Sequence, residues 1–359
     1  MAKIVYGVSG EGSGHSSRAR EMITHIQGLG HSVKVVSYDR GYRNLKDDFE
    51  VFENEGLHIA SLDNKVSKVK TFTDNLKRIS KGHKSLMALR KHIFKAFKPD
   101  CVITDFEPMT AYLANHYDLP LITIDNQHRF RYMQYECPSY LKNDQLLTEN
   151  IIRAMVPRPD VSLVTTFYYG EVKNDRTFLF PPILRREVLK LKPTSGKNIL
   201  VYLTSGFESF VDLLKTFSRE QFLVYGYDKD DRDGNIQYKP FSKDGFLKDL
   251  AASRAVMATA GFTLMTESLH LRKPYLALPM VGQFEQELNA IFLEQLKYGM
   301  NLRKVGVEAI GHFLYSIPDF KKQLRRYQAK DNSEIKEKLE ELLTNNSALA
   351  KTFHQKRTG

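Results

Sequence analysis

The first residue of this chain whose position suggests chemistry is a histidine in a glycine-rich loop. The loop SGEGSGH contains Gly10, Gly12 and Gly14, follows the apolar segment KIVYGV and ends at His15. Glycine permits positive φ angles and lets a ligand approach the backbone closely, so Gly14 is a candidate ligand contact. Histidine side chains exchange protons near neutral pH, and one at the carboxyl edge of a parallel sheet is placed to face a ligand. A histidine alone in this position is more often a residue of the helix start without a catalytic role, whereas a carboxylate partner would favour a general base.

Two phosphate-binding motifs are alternative explanations of the same loop. A Walker A loop ends in Gly-Lys-Ser/Thr, whereas this loop ends in Gly14, His15 and Ser16, so the lysine that reaches the phosphates is missing. A dinucleotide fingerprint has the spacing GxGxxG and an acid after the second strand. Here the spacing is GxGxG, although Asp39 stands in roughly the right place. The dinucleotide signal is therefore weak.

The partner that a catalytic histidine needs stands at the end of another apolar segment. Asp105 ends DCVITD, and in a parallel sheet it would lie at the same edge as His15. Its carboxylate would accept the Nδ1 hydrogen of His15, fix the tautomer and stabilise the imidazolium that forms on proton abstraction. The alternative is that Asp105 caps the turn before Pro108.

Residues 254–290 contain a second ligand-binding pattern. A strand ends at Ala260, Gly261 makes a turn and a helix begins at about Thr263, so backbone N–H groups without helical partners point to the end of the sheet. This arrangement suits a diphosphate. Glu267 lies one helical turn further on, where its carboxylate could accept two vicinal ribose hydroxyls, although the helix dipole alone also favours an acid there.

Taken together, these residues resemble the two-Rossmann-domain (GT-B) glycosyltransferases that use nucleotide sugars. The likeness is strongest to the branch that contains the peptidoglycan N-acetylglucosaminyltransferase and the UDP-glycosyltransferases of small molecules. In that superfamily a glycine six residues before a glutamate marks the nucleotide-sugar site, as Gly261 and Glu267 stand here. A Pro-x-x-Gly segment then leads to an acid and a glutamine before Asn-Ala, matched here by Pro279, Gly282, Glu285, Gln286, Asn289 and Ala290.

The resemblance implies a role for each matching residue. His15 would be the base that activates the acceptor, with Asp105 as its partner, and Glu267 would bind the ribose. The other residues that it places at the nucleotide sugar are Glu285 and Gln286 at the sugar hydroxyls, Phe241 beside the nucleobase, and Ser205, Thr263 and Leu264 along the rest of the site. Leu264 stands where a hydroxyl residue is usual, and Arg272 where a small residue is common.

Alternating strand-like and helical segments must position these side chains. The strand-like runs are KIVYGV, HSVKVVSY, DCVITD, LPLITID, DVSLVTTF, NILVYLTS, QFLVYGYD, IQYKPF, RAVMATA and PYLALPM. This pattern predicts an α/β protein with two Rossmann-like domains, whose parallel sheets would face each other across a cleft. We expect an acceptor-binding domain over 1–181, a nucleotide-sugar-binding domain over 182–330, and a charged helix and tail over 331–359, with 180–197 as the connection.

The charge of the chain is concentrated in one segment. Net charge is +11, and residues 65–98 hold eleven Lys and Arg against the single acid Asp74. A solvated helix face usually mixes both signs. The segment therefore favours a basic surface that meets anionic lipid, a phosphorylated carrier or an acidic polymer.

Length and cysteine content limit the remaining classes. The 359 residues fit about two domains, and only Cys101 and Cys137 are present, without metal-ligand or disulfide spacing. No signal peptide and no run of 18 apolar residues is visible. We expect a cytoplasmic protein, peripheral on the inner face of the membrane if the basic segment binds lipid. The acidic residues in 228–233 are predicted to form a solvated turn, and no metal site is predicted.

The predicted function is transfer of a sugar from a UDP-sugar donor to an acceptor hydroxyl, with inversion and with no metal or other cofactor. The acceptor would be lipid-linked or anionic. One alternative is a UDP-sugar epimerase of the same fold. An alternative of another class is a nucleic-acid-binding protein that uses residues 65–98, although no nucleic-acid motif accompanies this segment and we expect no nucleic-acid partner.

Overall fold

The computed structural model describes residues 1–56, 82–203 and 206–358, and the backbone of 61–62 and 65–66. The described residues form two compact units. The first unit holds those of Met1–Ser61, Ser67–Arg185 and Asp331–Gly359, and the second holds those of Leu62–Val66 and Arg186–Lys330.

The first unit is built on a parallel sheet of apolar strands. The strands before Arg185 are β1 (Lys3–Val8), β2 (Ser32–Ser37), β3 (Val51–Glu53), β4 (Ser61–Leu62), β5 (Lys65–Val66), β6 (Cys101–Asp105), β7 (Leu121–Asp125), β8 (Val161–Thr165) and β9 (Thr177–Phe180). Seven of them pair in the order β3-β2-β1-β6-β7-β8-β9, every neighbouring pair parallel, and β4 with β5 forms a separate sheet. The central strands are buried along their whole length, which is why they read as continuous apolar runs.

Helices cover this sheet. They are α1 (Ser13–Gly28), α2 (Asp39–Leu45), α3 (Pro108–His116), α4 (Arg129–Tyr132) and α5 (Lys142–Met155), with a π-helical turn Arg90–Lys95 inside the helical stretch 82–97 and a 3₁₀ turn Ser139–Leu141. Glu107 begins α3 by accepting hydrogen bonds from the backbone N–H of Met109 and Thr110 at 3.0 and 2.7 Å.

The strand order creates a switch point beside β1. The chain places β2 and β3 on one side of β1 and then returns to add β6 on the other side. Val8, the last residue of β1, pairs with Asp105, the last residue of β6, and the N–H of Ser9 donates to the Asp105 carbonyl at 3.0 Å. Because ligands bind where the strand order reverses, this is the expected binding edge of the unit.

The second unit repeats the same plan. Its strands are β10 (Asn198–Tyr202), β11 (Gln221–Tyr225), β12 (Asp231–Asp233), β13 (Ile236–Tyr238), β14 (Ala255–Thr259), β15 (Tyr275–Leu278) and β16 (Gly299–Asn301). They pair in the order β12-β13-β11-β10-β14-β15-β16, with only β12 antiparallel to its neighbour. Its helices are α6 (Arg186–Leu189), α7 (Glu208–Leu214), α8 (Lys243–Ala252), α9 (Phe262–His270), α10 (Phe284–Gln295) and α11 (Val307–Leu324). The switch point lies between β10 and β14.

The C-terminal helix α12 (Ser333–Thr358) belongs to the first unit. It is interrupted at Asn345, Asn346 and Ser347, which have positive φ angles of 53°, 57° and 63°. Apolar side chains before the interruption join the core of the β1 sheet, namely Ile335, Leu339, Leu342 and Leu343. After it, Nδ1 of His354 lies 3.0 Å from a carboxylate oxygen of Asp160.

The architecture confirms the predicted fold class of two Rossmann-like α/β domains. The units divide after Arg185 and again after Lys330, so residues 331–359 complete the first unit. The segment predicted to connect the domains, 180–197, contains the short helix α6. No helix among the described residues is long and apolar enough to cross a membrane.

The packing of α12 predicts a stability effect. Leu339 is fully buried in the core of the first unit. Leu339→Ala should lower the free energy of unfolding by about 2–5 kcal/mol, because a core cavity adds to the lost apolar burial. Urea unfolding measures the change.

Glu337→Ala is the matched control, since Glu337 is exposed on the same helix and should change stability by less than about 0.5 kcal/mol. Equal effects of both substitutions would show that α12 is not part of the core.

Candidate active site

The loop after β1 is shaped by two glycines with different tasks. Gly12 begins α1 with φ = 79°, a conformation that favours glycine. A Cβ on Gly10 would lie 2.3 Å from the Tyr38 carbonyl oxygen, so close packing requires glycine there. Gly14 lies in the first turn of α1. The loop therefore lets α1 begin at the carboxyl edge of the sheet.

The buried face of α1 ends in polar side chains. His15, Ala19, Met22 and Ile26 recur every three to four residues and are buried, as is Arg18. The apolar stripe that attaches α1 to the sheet therefore continues into a histidine and an arginine at the helix start.

The predicted contact between His15 and Asp105 is present. Nδ1 of His15 lies 2.7 Å from Oδ1 of Asp105, and the Asp105 side chain is fully buried. Because an ionised carboxylate only accepts hydrogen bonds, this contact is a hydrogen bond when Nδ1 carries the hydrogen. In the neutral ring the lone pair then resides on Nε2, which is the nitrogen that can take a proton from a substrate.

Arg18 binds the same carboxylate in two places. Its Nε and Nη2 donate to Oδ2 and Oδ1 of Asp105 at 2.6 and 2.5 Å, a bidentate geometry. Nη2 also lies 2.8 Å from Nδ1 of His15. Since both nitrogens carry hydrogen when Nδ1 donates to Asp105, this approach is a contact between two donors. The Asp105 charge is thus shared between His15 and Arg18.

The loop after β7 completes the surroundings of Arg18. Nη1 of Arg18 donates to Oδ1 of the buried Asn126 at 2.7 Å. Burial, followed by the charge of Asp105, raises the pKa of Tyr6 well above its usual value, so Tyr6 is a neutral hydroxyl next to this cluster. The side-chain oxygen of Asn126 therefore holds Arg18 in place.

A second buried histidine–carboxylate pair lies in the same loop. Nδ1 of His128 is 2.7 Å from Oδ2 of Asp125, and both side chains are buried. Burial alone would raise the pKa of Asp125, but the charge and hydrogen bonds of His128 outweigh burial and lower it. Asp125 is the last residue of β7, which pairs with β6, the strand that ends in Asp105.

The second unit presents the start of α9 at the end of β14. The first helical hydrogen bond of α9 runs from the Met265 N–H to the Gly261 carbonyl. The N–H groups of Thr263 and Leu264 therefore have no partner within the helix. Gly261 has the ordinary φ of −66°, and a Cβ built on it would meet no atom within 4 Å. Neither backbone strain nor packing explains glycine here.

Glu267 is buried, whereas a carboxylate that binds ribose is expected to be accessible. It is the sixth residue of α9, and 1% of it is exposed. A ribose can reach this carboxylate only if it displaces the groups that cover it. The ribose role of Glu267 stays a prediction.

The start of α10 is held by its own polar residues. Oε1 of Gln286 accepts a hydrogen bond from the N–H of Met280 at 3.2 Å, and Nδ2 of the buried Asn289 donates to the Ala260 carbonyl at 2.9 Å. Asn289 therefore ties α10 to the turn before α9. Glu285 and Gln286 lie half-buried in the first turn of α10, and their contacts with a donor sugar stay predictions.

The residue predicted to lie beside the nucleobase is an exposed aromatic side chain. Phe241 is 57% exposed, with its ring 6.5 Å from the Tyr202 ring and 5.8 Å from the Phe246 ring. Such a ring offers a face for stacking. Ser205, the other residue predicted beside the nucleotide, lies outside the described residues.

The sequence is similar to a known protein family over most of its length. Residues 2–318 match the sequence profile of glycosyl transferase family 1. The chain belongs to this family.

Relatives of this glycosyltransferase agree with the assignment. An uncharacterized glycosyltransferase of Methanosarcina mazei is 25% identical over 338 residues, which cover 84% of this chain and 85% of the relative. The calicheamicin glycosyltransferase structure superposes with a TM-score of 0.68 at 13% identity, covering 96% and 99% of the two chains. A Streptomyces sp. SF2575 glycosyltransferase complexed with thymidine diphosphate gives a TM-score of 0.61 at 13% identity, covering 95% and 100%. The predicted GT-B fold is confirmed.

Arg18 is the residue of this glycosyltransferase that sequence reasoning missed. A signal was available, because a residue three positions after His15 falls on the buried side of an amphipathic α1. A buried arginine must have a partner. That partner, Asp105, is 87 residues away, and no local pattern connects the two.

The shared carboxylate predicts a large stability effect at Arg18. Arg18→Gln should lower the free energy of unfolding by about 3–5 kcal/mol, because the buried Asp105 loses the full positive charge that pairs with it when His15 is neutral. Adding Asp105→Asn should recover part of the loss by removing that charge. Chemical denaturation of the single and double variants measures both effects.

Arg20→Gln provides the control, since Arg20 pairs with Asp48 on the solvent side of α1, where the two side chains are 30% and 50% exposed. Its loss should stay below about 1 kcal/mol. A similar loss at Arg18 and Arg20 would contradict the buried cluster.

Proposed function

We propose that this glycosyltransferase moves a sugar from a UDP-sugar to an acceptor hydroxyl, with inversion at the anomeric carbon. The observation that carries the proposal is the 2.7 Å contact between Nδ1 of His15 and Asp105, which leaves Nε2 to accept a proton. The acceptor oxygen attacks the anomeric carbon while its hydrogen passes to Nε2 of His15. The bond between that carbon and the diphosphate breaks, and UDP leaves with the electron pair.

The charges around the base give each group a separate task. Asp105 fixes the tautomer of His15 and stabilises the imidazolium that proton abstraction creates. Arg18 keeps the carboxylate in place through its bidentate contact, and Asn126 fixes Arg18 in turn. This division of tasks supports a base that is held rigidly before the acceptor binds.

The donor is assigned to the second unit. The N–H groups at the start of α9 would bind the diphosphate and stabilise its developing charge, so the proposal requires no metal or other cofactor. The unexplained glycine at 261 and the exposed ring of Phe241 support this location. The thymidine diphosphate bound by a neighbour of the same fold supports a nucleoside diphosphate leaving group. Glu267, which would pair with two ribose hydroxyls, favours UDP over a 2′-deoxy nucleotide.

A basic surface on the first unit supports an anionic or lipid-linked acceptor. In the described part of the basic segment, Lys84, Lys91 and Lys95 are exposed on the helical stretch 82–97, and residues 82–98 include no acid. Such a stripe attracts phosphate groups or anionic lipid headgroups. Peripheral contact with a membrane is part of this proposal.

The donor assignment predicts which nucleotide groups Glu267 recognises. Glu267→Ala should weaken UDP binding by about 10- to 100-fold, since charge-assisted hydrogen bonds to two hydroxyls are lost. The wild-type protein should also bind UDP about tenfold more tightly than 2′-deoxy-UDP, and the variant should lose this preference. Calorimetric titration measures all four affinities.

Glu308→Ala is the control, because Glu308 is an exposed acid in the first turn of α11. Unchanged UDP affinity in Glu267→Ala would remove the ribose site from α9.

The base assignment predicts a loss of turnover without a loss of donor binding. His15→Ala should lower turnover by about 10²- to 10⁴-fold with UDP affinity unchanged, and Asp105→Asn should cost no more than that. UDP release that requires an acceptor is the readout, and it separates transfer from the epimerase alternative.

The double variant tests whether the two residues act as a unit. Its loss should be close to that of His15→Ala alone, because a dyad is not additive. A loss equal to the product of the two single effects would disprove the dyad.

A further inference from the structure

The loop after β7 leads into a cluster of arginines that the proposed reaction does not use. Arg131 lies over the ring of Tyr132, with its guanidinium carbon 4.8 Å from the ring centre. Burial raises the pKa of Tyr132, whereas the nearby charges of Arg131, Arg176 and Arg153 lower it, and Asp125 is the acid that opposes them. The N–H of Lys173 donates to the Tyr132 carbonyl at 2.8 Å, and α4 contacts α5, so α5 and the segment that precedes β9 both lie beside α4.

The arginines of this cluster lack carboxylate partners. Among the described residues, no side chain of Arg131, Arg153 or Arg176 takes part in an ion pair. Clustered like charges repel one another unless an anion lies between them. An arrangement of unpaired guanidiniums is the one that proteins use to bind phosphate.

One buried donor beside the cluster is also unsatisfied. Nη1 of Arg131 is buried without a hydrogen-bond partner in the part of the chain that the structure describes. The His128 ring stacks on Tyr132 with centroids 5.6 Å apart, so it lies at the same phenol as Arg131. Leaving a buried donor unpaired is unfavourable, and a bound anion would remove that cost for Nη1 of Arg131.

An exposed apolar face begins next to this cluster. Leu146, Leu147 and Ile151 on α5 are 61%, 40% and 45% exposed. Leu146 and Arg153 are seven residues apart and therefore share one side of the helix. Several large apolar side chains exposed on one helix mark a surface that contacts another apolar group.

We propose that Arg131, Arg153 and Arg176 bind the phosphate group of a phosphorylated amphiphile whose apolar part lies along α5. This inference rests on the proposed function, for which the amphiphile is the acceptor. The loop supports that role, because it also holds the Asn126 that fixes Arg18 of the base cluster. The charge cluster selects the phosphate, and the apolar face of α5 selects the attached hydrocarbon.

Octyl phosphate and inorganic phosphate are the probes, titrated calorimetrically into the full chain. Octyl phosphate should bind about tenfold or more tightly than inorganic phosphate, because its chain buries apolar surface on α5. Arg131→Gln and Arg176→Gln should each weaken octyl phosphate binding about tenfold. Arg153→Gln should act in the same direction, and because Arg153 is exposed this substitution leaves the core intact.

Two further variants give the controls. Arg219→Gln removes an exposed arginine of the second unit and should leave both affinities unchanged. Ile151→Ser should reduce the advantage of octyl phosphate while leaving inorganic phosphate binding as it was. Equal octyl phosphate binding by the wild-type protein and the three arginine variants would overturn the inference, as would equal binding of the two probes by the wild-type protein.

UDP titrated into the same proteins separates this inference from the proposed function. UDP binding without arginine-dependent octyl phosphate binding would refute the inference and leave the proposed function standing. Arginine-dependent octyl phosphate binding without UDP binding would support the inference and count against the proposed function alone.

Discussion

The buried carboxylate of Asp105 is the constraint on which the rest of the first unit depends. It is fully removed from water, and it is stabilised by a bidentate arginine and by the ring of His15. An unpaired charge at this depth would be strongly destabilising. The parallel pairing of β1 with β6 and the apolar face of α1 are the features that bring all three groups together.

The two units share one architecture and differ in the groups at their helix starts. Each has a parallel sheet with a switch point, and in each a helix begins close to that point. In the first unit the helix start carries a buried histidine and arginine. In the second the helix start is bare backbone after Gly261, with no acid in its first turn. The first arrangement suits proton transfer, and the second suits an anionic leaving group.

Much of this was predictable from the sequence, and the failures have physical causes. The central strands and the contact of His15 with Asp105 follow from apolar runs and from the geometry of parallel sheets. The strands β3 and β16 have three residues each, too few to show a pattern. The role of Arg18 was not predicted because its partner is distant in sequence. The burial of Glu267 depends on packing that no local motif encodes. The placement of α12 on the first unit likewise depends on contacts between distant segments.

The tautomer of His15 tests the central claim most directly. In protein labelled with ¹⁵N at histidine, the two ring nitrogens of His15 can be identified by comparison with a His15→Gln variant. When the ring is neutral, we expect hydrogen on Nδ1 and a lone pair on Nε2, because Asp105 accepts from Nδ1 at 2.7 Å. A neutral ring with hydrogen on Nε2 would contradict it, since His15 would then have no lone pair available to an acceptor hydroxyl.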